Sequence, residues 1–113
     1  MSREFSIYIE EGFRRLIALK ESIKIVKRIA RFVRDIYPDA KVYFFGSALK
    51  GKYTAMSDID ILVVIDGISK EEMTKLKAKI IMKFFEYPIE VHMINTSKLF
   101  SWYTRFIDKM IEV

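Results

Sequence analysis

The stretch DIDILVVID, residues 58–66, constrains the fold more than any other part of the chain. From Ile61 to Ile65 every residue is aliphatic and four of the five are β-branched, which favours an extended strand. A strand that is apolar at consecutive positions has no solvent side, so both of its faces must be covered. That requirement points to an α/β domain: a small mixed sheet with helices packed against it. Gly67 closes the run. Two carboxylates, Asp58 and Asp60, stand at its entrance, where a buried strand should not carry charge without a reason.

The neighbouring segments fit the same architecture. "KVYFF", residues 41–45, is aromatic and β-branched and is cut off by Gly46, which predicts a short strand running into a turn. "IEVHMI", residues 89–94, alternates as a third strand, with Ile89, Val91 and Met93 on one side and Glu90, His92 and Ile94 on the other. Before them, Phe13, Leu16, Ile17, Ile23, Val26, Ile29, Ala30, Val33 and Ile36 recur at helical spacing, predicting one long amphipathic helix over residues 9–37 that Pro38 ends. Between the second and third strands, Ser69 followed by Glu72 is a capping-box pattern opening a helix with Met73, Leu76, Ile80 and Phe84 inward. A final helix is expected after "NTS", with Leu99, Tyr103, Phe106, Ile107 and Met110 on its apolar face. Phe100, Trp102 and Ile111 would widen that face, making Trp102 either a partner anchor or a cap on the core.

At 113 residues these elements form one domain, 1–113, with a catalytic core over about 40–110 and no room for a second domain to hold a large substrate. The absence of cysteine excludes disulfides and thiolate metal sites, and a single His leaves any metal to carboxylates. No apolar run reaches the roughly 18 residues of a membrane span, and "MSREFSIYIEEGF" does not read as a signal peptide, so a cytoplasmic protein is expected. The net charge of +5 is modest. Much of it lies on one face of the first helix, where Lys20, Lys24, Lys27, Arg31 and Arg34 fall within about 80° of one another, with Arg28 at the edge. A solvated face explains that stripe, and contact with a nucleic acid or an acidic partner surface is the alternative. Direct action on nucleic acid is disfavoured, because there is no Gly-rich RNA loop and the aromatics fall on apolar faces.

The paired aspartates suggest the chemistry. Residues i and i+2 of a strand share a face, with Cβ atoms roughly 6 to 7 Å apart, so Asp58 and Asp60 present two carboxylates side by side. A cation between them relieves their repulsion. Mg²⁺ takes one or two protein carboxylates and completes its shell with water and phosphate oxygens, which makes a nucleoside triphosphate the natural co-ligand. Gly46 and Ser47 offer a close-approach turn and a hydroxyl for phosphate oxygens, and Lys50 and Lys52 lie nearby in sequence for neutralisation. The ten residues between Ser47 and Asp58 suffice to bring the two half-sites face to face.

Gly46-Ser47, ten intervening residues and Asp58-Ile59-Asp60 resemble the Gly-Ser-x10-Asp-x-Asp signature of the polymerase-β-like nucleotidyltransferase superfamily. Within it, "MSDIDILVV" and "IEVHMINTSKLFSWYTRFID" resemble the minimal nucleotidyltransferases, often encoded beside an all-helical HEPN protein in toxin–antitoxin pairs. The resemblance implies the nucleotidyltransferase fold, with Asp58 and Asp60 binding Mg²⁺ and Gly46, Ser47 and Lys50 serving the nucleotide. It also implies a third carboxylate on a later strand. Glu90, alone among apolar neighbours in the third strand, takes that place as a metal ligand and catalytic residue. His92, on the same face, is a neighbouring polar ligand, a proton carrier or a structural residue. Many relatives carry Arg directly after Gly-Ser, where this chain has Ala48.

The implied reaction moves a nucleoside monophosphate, AMP from ATP, to a hydroxyl of a partner protein, a HEPN-type toxin. The alternative is an antitoxin that neutralises its partner by binding alone. The sequence leaves self-association open.

Overall fold

The computed structural model describes residues 2–50, 58–96, 100–101, 104–106 and 109–113. Its first element is a helix, α1 (Arg3–Ile36), which begins six residues earlier than the apolar periodicity predicts. Ser2 is the reason: its side chain accepts a hydrogen bond from the amide of Phe5, and Glu4 lies in the positively polarised first turn. Pro38 stops the helix close to where expected, and Tyr37 turns the chain.

Four strands follow in one mixed sheet: β1 (Lys41–Phe45), β2 (Ile59–Val64), β3 (Ile89–Ile94) and β4 (Met110–Glu112). Their spatial order is β3-β2-β1-β4. β1 runs antiparallel to both β2 and β4, whereas β2 and β3 are parallel and joined by a crossover through α2 (Lys70–Lys83). The capping box opens α2 as predicted: Ser69 Oγ accepts from the Glu72 amide and donates to Glu72 Oε1. Tyr37 Oη donates to the other Glu72 oxygen at 3.0 Å, tying the end of α1 to the start of α2.

The C-terminal segment follows its prediction at Phe100 and Ser101, which are helical, and departs from it further on. Met110, expected on the face of a last helix, is the first residue of β4 and pairs with Phe45, while Thr104–Phe106 form a single 3-10 turn. Helical spacing in this segment loses to the free edge of β1, whose amides and carbonyls need partners. Leu99, Trp102, Tyr103 and Ile107 lie outside the described residues, and so does the proposed anchoring role of Trp102.

The two faces of the sheet differ. Val42, Phe44, Ile61 and Val63, all fully buried, meet Val26, Ile29 and Val33 of α1 and Leu76 and Ile80 of α2 to form the main core. On the opposite face Tyr43, Leu62, Val64 and Ile94 form a second cluster, completed by Phe45, Phe100 and Met110. Phe100 stacks on Tyr43 with ring centroids 4.9 Å apart.

Only the later part of α1 packs. Val26, Ile29, Ala30 and Val33 are buried, but Phe13, Leu16 and Ile17, predicted to share their apolar face, are 63%, 49% and 57% exposed. The basic stripe is exposed at Lys20, Lys24, Lys27 and Arg31. Arg34, at its end, is turned to the carbonyls of Ala40 and Val113, holding the end of the helix to the start of β1 and the end of β4.

Candidate active site

Register places the candidate residues on the second face. Phe45 pairs with Asp60 across the antiparallel β1/β2 ladder, and Asp60 pairs with Glu90 across the parallel β2/β3 ladder. Neighbouring strands lie about 4.8 Å apart, so this register alone sets two carboxylates side by side. His92 follows Glu90 by two residues on the same face. Its Nε2 lies 3.7 Å from Asp60 Oδ1 and 3.6 Å from Glu90 Oε1. The Phe45 ring packs beside the imidazole, with centroids 5.2 Å apart.

Gly46 completes the arrangement from the end of β1. It has φ +87°, a conformation costly for any residue with a Cβ, and an added Cβ would stand 2.2 Å from Asp60 Oδ2. The backbone therefore approaches the Asp60 carboxylate more closely than any other residue type would permit. The chain then makes one helical turn, with the Lys50 amide donating to the Gly46 carbonyl at 3.2 Å. Ala48 and Leu49 point into the core while Ser47 and Lys50 are exposed. Ala48 is 1% exposed, so a basic side chain at this position would be aimed into apolar packing.

The electrostatics follow from this crowding. Asp60 is largely sheltered, and burial is the main cause that raises its pKa from 3.8 to about 6. Its hydrogen bond with Glu90 and the charge of that carboxylate push in the same direction, and His92 pulls the opposite way. A cluster that favours a proton on one of two adjacent carboxylates also favours any other cation in its place.

Asp60, Glu90 and His92 each offer a ligand atom, all within 4.8 Å of one another. The two carboxylates suit a hard divalent cation, the imidazole adds a nitrogen donor, and Gly46 places no side chain against Asp60 Oδ2. These residues fit a divalent metal ion. Asp58 is exposed at the entrance to β2 and does not belong to this group of ligand atoms. Ser47 and Lys50 lie at the exposed rim, and Lys52 falls outside the described residues.

The structure thus gathers Gly46, Asp60 and Glu90 and adds His92 as a full member of the cluster. Phe45 is the residue that sequence reasoning passed over, counting it as strand filling. The signal for it was its place directly before Gly46, on the face shared with Asp60. A cavity of about 420 Å³ bounded by Tyr37, Lys41, Tyr43, Asp66 and Phe100 lies at the opposite ends of β1 and β2 from Asp60. The carboxylates themselves stand on a more open part of the sheet, with Glu90 55% exposed at its side chain.

Comparison with known proteins agrees with this geometry. The family profile of the nucleotidyltransferase domain matches residues 26–110, which span β1 through the start of β4 and both halves of the candidate site. A crystal structure assigned as a nucleotidyltransferase is 31% identical and superposes with a TM-score of 0.66, over 77% of this chain and 95% of that one. A second, from Sulfolobus solfataricus and also assigned as a nucleotidyltransferase, shares the fold at 24% identity and a TM-score of 0.62, over 87% of this chain and 84% of the other. With three quarters of its length matched and its carboxylates gathered beside a Gly-Ser turn, the chain belongs to the nucleotidyltransferase-domain family.

Proposed function

We propose that this protein transfers AMP from ATP to a hydroxyl group of a partner protein, and that the partner is an all-helical toxin of the HEPN type. The observation that carries the reading is the cluster of Asp60, Glu90 and His92 beside the Gly46 turn. Membership of the family supports nucleotidyl transfer in general. The acceptor is inferred from the resemblance of Gly46-Ser47, Asp58-Ile59-Asp60 and the segment that follows Ile89 to the minimal nucleotidyltransferases.

In this reading Asp60 and Glu90 hold Mg²⁺, with Asp58 at the entrance within the same run. Bound there, Mg²⁺ supplies charge neutralisation and Lewis acidity toward phosphate oxygens. The exposed Gly46-Ser47 turn and Lys50 receive the triphosphate. The acceptor oxygen forms a bond to the α-phosphorus as the bond from that phosphorus to the bridging oxygen breaks, and pyrophosphate leaves. Glu90 takes the acceptor proton, which its partly exposed side chain and its contact with His92 suit it to do. Phe45 and the register of β2 and β3 hold these groups in place, so positioning rather than covalent chemistry supplies most of the acceleration.

The test is incubation with α-labelled ATP, Mg²⁺ and an all-helical protein of the HEPN type. Label should appear on the partner, and Glu90→Gln should reduce the rate by about a hundredfold or more while leaving nucleotide affinity within about threefold. Label transferred by Glu90→Gln at the parental rate would remove Glu90 from the chemistry. Toxin neutralised with no label transferred would establish the binding-only antitoxin instead.

A further inference from the structure

The apolar positions of α1 form one continuous seam: Phe5, Ile9, Gly12, Leu16, Leu19, Ile23, Val26, Ala30 and Val33 alternate spacings of four and three without a break. Such a heptad seam is the pattern by which helices pair. From Leu19 onward it is used, packed on the sheet and α2. Before Leu19 nothing among the described residues covers it. Phe5, Ile9 and Leu16 are 55%, 42% and 49% exposed, and their flanking neighbours Tyr8 and Phe13 are 75% and 63% exposed. The molecule is 57 Å long but only 30 Å across, because the first part of α1 extends beyond the sheet by roughly 24 Å.

We infer that this projecting half-helix pairs antiparallel with the same segment of a second copy of the chain. Charge selects both the occupant and the direction. Over residues 3–17, Arg3, Arg14 and Arg15 are balanced by Glu4, Glu10 and Glu11, so this segment can meet its own copy without net repulsion. Over residues 20–34, Lys20, Lys24, Lys27, Arg28, Arg31 and Arg34 face only Glu21. A parallel pair would set those basic halves alongside each other. An antiparallel pair centred between Glu10 and Glu11 overlaps only the neutral halves and sends the basic halves to opposite ends.

The seam packs sensibly in that register. Phe5 of each copy meets Leu16 of the other, and Ile9 meets Gly12, where nothing lies within 4 Å of an added Cβ and a large side chain has room. The five exposed side chains offer on the order of 500 Å² of apolar surface per copy, and the stems of flanking charged residues bring this near the roughly 800 Å² that each partner gives a standard interface. The sheet face carrying Asp60 is not part of this surface, so pairing leaves it accessible.

Light scattering and sedimentation of the purified chain should give the mass of a dimer. Ile9→Glu combined with Leu16→Glu should raise the dissociation constant about a hundredfold or more, while the conservative pair Ile9→Leu and Leu16→Ile remains dimeric. Both variants should keep the melting behaviour of the core, since neither position touches it. A short bismaleimide should cross-link Gly12→Cys between copies but not Lys27→Cys, whose two copies stand roughly 50 Å apart in the antiparallel pair. The chain has no native cysteine to interfere. A monomer at about 100 µM, a dimer that survives the double Glu variant, or efficient cross-linking through position 27 would each overturn the inference.

Discussion

The two faces of the sheet are built from the same strands, yet they obey opposite rules. On the face under the helices Val42, Phe44, Ile61 and Val63 are fully buried, and stability comes from dense apolar packing. On the other face the residues in the same strands, one position along, include Phe45, Asp60, Glu90 and His92. There burial, with a second carboxylate held close by, raises the pKa of Asp60 to about 6. A strand's period of two lets one segment serve both purposes: each substitution on one face leaves the other largely untouched. The first face holds the second rigid, and the second accepts electrostatic strain that a cation relieves.

The largest effect that separates the faces should come from Phe44→Ala. It removes a fully buried ring from the main core and should cost about 3 to 5 kcal/mol, read as a fall in unfolding free energy by denaturant titration. Phe45→Ala, next in sequence but on the partly open face, should cost less than half as much. Equal losses would break the comparison.

Gly46→Ala should follow, at about 2 to 3 kcal/mol. Part of that cost is the positive φ, and part is the contact of the new Cβ with Asp60 Oδ2. The second part should vanish when Asp60 is also shortened, so a double-mutant cycle with Asp60→Ala should show coupling of about 1 kcal/mol or more. Divalent-cation affinity should drop with Gly46→Ala alone, because Asp60 must rotate away. Additive stabilities would mean that Gly46 and Asp60 do not share the site.

The smallest effect is the most specific. Because the folded protein holds a proton on Asp60 up to about pH 6 and the unfolded chain releases it near 3.8, the folded state binds more protons between these values. Metal-free stability should therefore fall as pH rises through that window and level off above it. The rise from 3.8 to about 6 corresponds to at most about 3 kcal/mol, and partial exposure reduces this to about 1 to 2. Asp60→Asn should flatten the profile and stabilise the metal-free fold above pH 6. Added Mg²⁺ should raise the melting temperature of the parent but not of Asp60→Asn. A parent whose stability rises from pH 4 to pH 6 in EDTA would contradict the crowding described at this site.

Much of this molecule was legible before its fold was known. The Ser69–Glu72 box announces α2, Pro38 ends α1, Gly46 and Gly67 close β1 and β2, and period-two and continuous apolar runs mark the strands, because each of these signals acts within a few residues. Gly46, Asp60 and Glu90 could be named as site residues for the same reason: a glycine at a strand end and carboxylates among aliphatic neighbours are local anomalies. What tertiary structure alone decided is where those pieces meet. The side-by-side placement of Asp60 and Glu90 depends on the parallel register of strands thirty residues apart, and the membership of His92 depends on that same register. Met110 became part of a strand because β1 had an open edge, a fact absent from the local sequence around it. The seam of α1 shows the limit most clearly. Leu16 and Ala30 occupy equivalent positions in one unbroken repeat, yet one is half exposed and the other is buried. Periodicity records which side of a helix is apolar, and only the arrangement of the remaining chain determines what covers it.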